Sequence, residues 1–170
     1  MPERETLERA QEDKREGKSP STQAGEFVRE EMEHIREGKH GAASTKQAIA
    51  IGLSKARRSG VKLGAPKRGK TSARTRKQAE RDLKTGQTSR GKKPSARRSR
   101  AVKGALKRKG RSAASRSSLS RQTRTAAKQR GATSRKQAAR KAVRTKKREG
   151  VLKTAARKAA RTRAQHRRAA

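Results

Sequence analysis

The sequence predicts an all-α chain: a small helical hairpin preceded by a short charged helix and followed by a long basic tail. Three observations lead there. Large aliphatics cluster at helical spacing between residues 24 and 61 and are sparse elsewhere. Cysteine is absent, and the chain holds one Phe and no Tyr or Trp. The charge, +38 overall, is segregated along the chain. Leu, Ile, Val and Phe make up 16 of the 170 residues. That is well under the roughly 20% below which a highly charged chain is read as disordered. Ordering a backbone costs about 1–2 kcal/mol per residue, and so little apolar surface offsets it poorly. A single compact globule is therefore not expected.

Residues 1–18 read as a charged N-terminal helix. They contain good helix formers, a Glu5–Arg9 pair at i,i+4, and only Leu7 and Ala10 as an apolar stripe,. Gly17 closes it. The hairpin spans 19–63. Ser19-Pro20 places an N-cap residue before proline at the first helical position. Ala24, Phe27, Val28, Met32 and Ile35 then fall on one face of a 3.6-residue period. Gly38 is the stop.

The second arm begins at Ser44, which forms a capping-box spacing with Gln47. Ala48, Ile49, Gly52, Leu53 and Ala56 supply its face, and Arg57 and Arg58 lie in the last turn, where cations suit the helix dipole. Gly60 and Val61 stand where a left-handed cap and its apolar contact belong. The expected hairpin core is Phe27, Val28, Met32, Ile35, Ile49 and Leu53.

Residues 64–170 read as a Lys/Arg/Ala-rich tail, disordered or separately helical. It opens on the turn-rich GAPKRGK. Glycines at 91, 110, 131 and 150 recur at near-equal spacing. The phrase Lys-Gln-Ala recurs at 46–48, 77–79 and 136–138, which suggests a degenerate helical unit beside the plainer reading of chance in low-complexity sequence.

Charge gives the partner class. Residues 1–40 carry 8 basic and 11 acidic side chains; residues 64–170 carry 39 basic and 3 acidic, namely Glu80, Asp82 and Glu149. Such self-repulsion opposes compaction until a polyanion arrives. Neutralised on phosphates, the Ala/Arg/Lys composition favours helix. Thirty-six excess charges match roughly 60 Å of duplex, at one phosphate per about 1.7 Å. DNA is thus the expected partner, with RNA the alternative.

The expected phosphate contacts are Lys55, Arg57, Arg58, Lys67, Arg68, Lys70, Lys92, Lys93, Arg97, Arg98, Arg100, Lys107, Arg108, Lys109, Arg140, Lys141, Arg144, Lys146, Lys147, Arg148, Arg157, Lys158, Arg161, Arg163, Arg167 and Arg168. Binding is expected to be blind to sequence, because aromatic stacking platforms and zinc-finger cysteines are missing. KRGKT (67–71) and RGKKP (90–94) depart from the R-G-R-P minor-groove hook. A helix-turn-helix with residues 45–58 as reader, using Lys46, Gln47, Lys55, Arg57 and Arg58, is a weaker alternative for want of an apolar third helix.

No catalysis and no cofactor are expected. Glu31 and His34 give E-x-x-H, but no second such motif follows, so no di-iron site of that kind is expected. Gly69-Lys70-Thr71 and Gly17-Lys18-Ser19 lack the phosphate-loop spacing. Ser95, Ser99, Ser112 and Ser117 lie beside cations and are candidate phosphorylation sites that would weaken phosphate binding. With no apolar run near 20 residues and an acid-rich start, neither a membrane span nor a secretory signal is expected. A cytoplasmic, nucleoid-associated protein follows as the expectation, with possible self-association or a protein partner through the hairpin.

SPSTQAGEFVREEMEHIREGKHGAASTKQAIAIGLSKARRSGVKL, residues 19–63, resembles a family of small basic bacterial proteins classed as a domain of unknown function. SRAVKGALKRKGRSAASRSSLSRQTRTAAKQRG, residues 99–131, resembles its members' tails. The resemblance implies a bacterial source and transfers no activity. The tail is also similar in composition to bacterial linker-histone-like proteins, which compact DNA. The function expected is sequence-nonspecific DNA binding that compacts or protects DNA. An RNA- or ribosome-associated protein is one alternative; a protein-interaction module whose tail only localises it is the other.

Overall fold

Each expected helix in the first 63 residues forms, and its ends follow from the local sequence. The computed structural model describes residues 2–88, 95–147, 150 and 154. They are helical throughout their regular structure, without a strand. Helix α1 is Arg4–Arg15, α2 is Pro20–Arg36 and α3 is Thr45–Arg58. After α2 and α3 the chain turns through Gly38 (φ +81°) and Gly60 (φ +89°), a left-handed conformation that a Cβ would strain,. Lys39 N–H then reaches His34 O at 3.0 Å, and Val61 N–H reaches Ala56 O at 3.1 Å, closing Schellman-type caps,. Ser44 Oγ accepts from Gln47 N–H at 3.2 Å. The Gln47 carbonyl reaches back to Ala43 N–H at 2.7 Å, one residue earlier than the usual capping box,. Ser19 differs from its expected role: its hydroxyl engages those of Ser21 and Thr22 and caps no backbone group.

The α2 and α3 faces meet as the periodicity requires. One cluster holds Met32, Ile35, Ala42 and Ala48, with Val28 and Ile49 packed against it. A second holds Ala10, Ala24, Phe27, Ala56 and Val61, with Leu7, Leu53 and Leu63 at its margin. Gly52 sits at the crossing point: a Cβ there would lie 2.7 Å from Val28 Cα. Helix α1 is not merely solvated. It packs along α2, burying Thr6 and Ala10 and tying Arg9 to Glu26 at 2.9 Å.

The expected boundary at residue 64 does not coincide with the edge of the compact unit, which runs Met1–Gln122. Helix α4 (Ala73–Thr88) packs on α3, and the short 3₁₀ turn η1 (Ser112–Ala114) contacts α2 and α3. Between them lies α5 (Ala96–Lys107), followed after η1 by α6 (Arg116–Gln129).

This packing needs almost no large aliphatic side chains, so counting them misses it. It is made by Ala79, Ala113 and Ala114, all buried, and by glycines that let backbones approach. A Cβ on Gly86 would collide with the Arg57 carbonyl, and one on Gly41 with the Lys109 carbonyl. Hydrogen bonds fasten the same contacts. Gly41 N–H donates to Leu106 O at 3.0 Å and Ala42 N–H to Gly110 O at 3.2 Å. Thr45 Oγ1 donates to Ala113 O at 2.7 Å and Arg36 Nε to Ala114 O at 3.0 Å.

A second unit covers Thr123–Ala170. Within it, residues 131–147 are helical and exposed, and Arg135 Nη1 donates to Ala127 O at 3.3 Å. The Lys-Gln-Ala phrases all fall in helices. Ala48 and Ala79 are buried while Ala138 is exposed, so the repeat marks helix more than a shared packing role.

Candidate functional site

The basic residues divide into those committed inside the fold and those facing solvent. Lys55 is committed. Its ammonium lies 2.7 Å from Glu31 Oε2 and 3.2 Å from Glu30 Oε1, beneath α2, where both carboxylates are essentially unexposed. Arg57 is committed as well, and it is buried. Its guanidinium donates to Leu63 O at 3.0 Å and Gly64 O at 3.3 Å, holding the chain as it leaves α3, and burial pushes its pKa down. The structure thus engages these two within the fold, Lys55 with carboxylates and Arg57 with backbone carbonyls, unlike the solvent-facing cations.

Arg58 is exposed, 3.8 Å from Asp82. Since α3 packs against both α2 and α4 and turns Lys55 and Arg57 inward, the reading of α3 as a base-contacting helix keeps only Lys46 and Arg58 on the surface.

Lys67, Arg68, Lys70, Arg97, Arg98, Arg100, Lys107, Arg108 and Lys109 are all exposed. So are Arg140, Lys141, Arg144, Lys146 and Lys147 on the helical stretch 131–147. Lys92, Lys93, Arg148, Arg157, Lys158, Arg161, Arg163, Arg167 and Arg168 lie outside the described residues. Between 95 and 147 the chain has 20 basic side chains and no acidic one, and all 20 are exposed. Among the phosphorylation candidates, Ser95 caps α5 by accepting from Arg98 N–H at 3.3 Å.

Of the acids after residue 63, Asp82 is the one buried among the described residues. It accepts from Ser54 Oγ and from Gln78 Nε2 (3.1 Å), anchoring α4 to α3. Nothing in residue counts distinguishes it from exposed Glu80. Its position three residues after buried Ala79, on the same helix face, is the signal that the sequence itself offers.

A second constellation, of acids and imidazoles, gathers at the C-terminal end of α2 and the loop after it. Glu30 and Glu31 are 1% and 0% exposed. Glu30 is satisfied by Lys55 and by Glu3 N–H, 3.2 Å from its Oε2. Glu31 has the Lys55 ammonium and the His40 ring close by but no aligned hydrogen bond to either oxygen. His40 Nε2 lies 3.2 Å from Glu31 Oε1. His34 Nε2 meets Glu3 Oε1 at 2.7 Å, and the Lys39 ammonium sits 3.1 Å from the same oxygen. Those two hydrogen bonds, His34 first, hold the Glu3 carboxyl at about 2, well below its ordinary 4.5. Lys39 is correspondingly pushed up by Glu37 and Glu3. Spacing alone pairs Glu31 with His34 but gives no reason to add His40, because only the chain reversal at Gly38 returns it to α2.

No described helix is long and apolar enough to cross a membrane. No curated protein and no solved structure matches the chain. Residues 17–68, which hold α2, the loop and α3, match the model of a family of unknown function, DUF6496.

Proposed function

We propose that the protein binds nucleic acid without reading its sequence, engaging duplex DNA through backbone phosphates and compacting or protecting it. The carrying observation is the stretch 95–147, where 20 exposed cations face solvent with no acid among them in sequence. Phosphate neutralisation releases condensed counterions, which makes such a surface a strong and sequence-blind ligand for a polyanion. The reading is one of binding rather than catalysis, in a bacterial nucleoid setting.

Arg58, Lys67, Arg68, Lys70, Arg97, Arg98, Arg100, Lys107, Arg108, Lys109, Arg140, Lys141, Arg144, Lys146 and Lys147 are the described residues assigned to phosphate. The absence of Trp and Tyr, together with burial of Phe27, supports a backbone-directed mode, since stacking on bases requires exposed aromatics,. Folded RNA presents the same phosphates in A-form geometry and is the competing ligand. A competition of duplex DNA against structured RNA at equal phosphate concentration tests the choice. Preferential retention of duplex is expected, and preferential retention of RNA overturns the assignment to DNA.

A further inference from the structure

We propose that Glu31, His34 and His40 form a binding site for one divalent transition-metal ion of the zinc class. One donor atom from each of the three lies within 4.8 Å of the other two. A tetrahedral ion with nitrogen and oxygen ligands needs donors roughly 3.4 Å apart, so a modest closure of the group completes the set. Two imidazoles and one carboxylate leave a fourth position for water.

The hydrogen bonding around the cluster favours a cation at its centre. His40 Nδ1 lies 3.2 Å from Gly41 O, an acceptor, so Nδ1 carries the proton and donates it there. In the neutral ring that leaves a lone pair on Nε2, facing Glu31 Oε1 at 3.2 Å. Two acceptors at that separation repel unless positive charge stands between them, either a proton on Nε2 or a metal ion. Glu31 Oε2 is already neutralised by Lys55, while Oε1 is fully buried with no aligned donor.

His34 is oriented from outside the cluster in the way metal-bound imidazoles commonly are, through the carboxylate of Glu3 on its Nε2,. The two rings stand edge to face, 6.2 Å between centroids. Both keep some exposure, 13% and 18% for their side chains, so an ion has a route in from solvent. The site joins the end of α2 to the loop that receives residues 106–110, and the metal would tighten that junction.

The chain has only three histidines, His34, His40 and His166, so each imidazole serves as its own reporter. Zinc chloride titrated into the metal-stripped full chain, read by NMR of the histidine rings, tests the site without any substitution. The His34 and His40 signals should shift together and saturate at one equivalent, while His166 stays in place. Glu31→Gln removes the anionic ligand itself and should weaken zinc binding by at least the roughly tenfold that loss of an outer-shell partner costs. No shift at excess zinc, or equal shifts at all three rings, overturns the site and leaves Glu31–His40 an ordinary ion pair.

Discussion

Residues 1–63 and residues 95–147 are both helical and both rich in Lys and Arg, yet they use those side chains in opposite ways. In the first region many of the cations are matched to acids. Arg4, Arg9, Lys18, Arg29, Lys39 and Lys55 each stand within ion-pair distance of a carboxylate. Some of those pairs are buried and fix how helices meet. In the second region no acid is interleaved, and every basic side chain faces solvent. The lesson is that cation count does not reveal what a cation does; proximity of acid and burial of its helix face do. Lys55 and Lys146 are the same residue type with different duties.

Exchanging those duties is the sharpest way to break the comparison. Lys55→Ala should cost about 3–5 kcal/mol of folding stability, because it leaves the Glu30 and Glu31 charges buried without their counterion. Lys146→Ala should stay within about 0.5 kcal/mol of the parent. Urea unfolding followed by circular dichroism separates the two, and equal losses would erase the distinction.

Asp82→Asn should rank next, at about 1–3 kcal/mol, since it weakens the hydrogen bonds that dock α4 on α3. Hydrogen exchange should then rise in α4 before it rises in α2. If α4 keeps its protection, Asp82 is not its anchor.

In the acid-free region the expected effect is on binding rather than folding. Replacing Lys146 and Lys147 together by Gln should flatten the salt dependence of duplex binding by about 2 in slope, at roughly 0.9 for each phosphate no longer neutralised. An unchanged slope would remove these two residues from the interface.

The smallest effect concerns pH. The Glu3 carboxyl, held at about 2 by His34 and Lys39 against an ordinary 4.5, lends stability that is present above 4.5 and lost as pH falls toward 2,. Glu3→Gln should remove that part of the acid limb, measured by thermal melting between those pH values. An identical acid limb in the variant would show that the interaction carries no linkage.

Much of the hairpin is legible in sequence because several local signals agree at each end of it. Gly60 and Val61 show this best: the pair reads as a Schellman-type cap, and Val61 donates to Ala56 and joins the Phe27 cluster. The docking of α4 and η1 is not legible in the same way. It depends on Ala79, Ala113, Ala114 and on glycines that admit a neighbouring backbone, and small residues carry little weight in any hydropathy pattern. The burial of Glu31 leaves a fainter trace. It falls four residues after Phe27 and four before Ile35, inside the apolar stripe, and Lys55 falls in the matching stripe of α3. Two opposite charges in facing apolar stripes spell a buried pair. The imidazole cluster requires the fold, since His40 returns to Glu31 only across the turn.

The most direct test of the central claim is the affinity of the full chain for duplex DNA measured across a series of salt concentrations. If about ten phosphates are engaged by exposed cations, log K should fall against log salt with a slope near −9. An affinity that does not change with salt would contradict the account, because contacts to phosphate cannot form without releasing counterions.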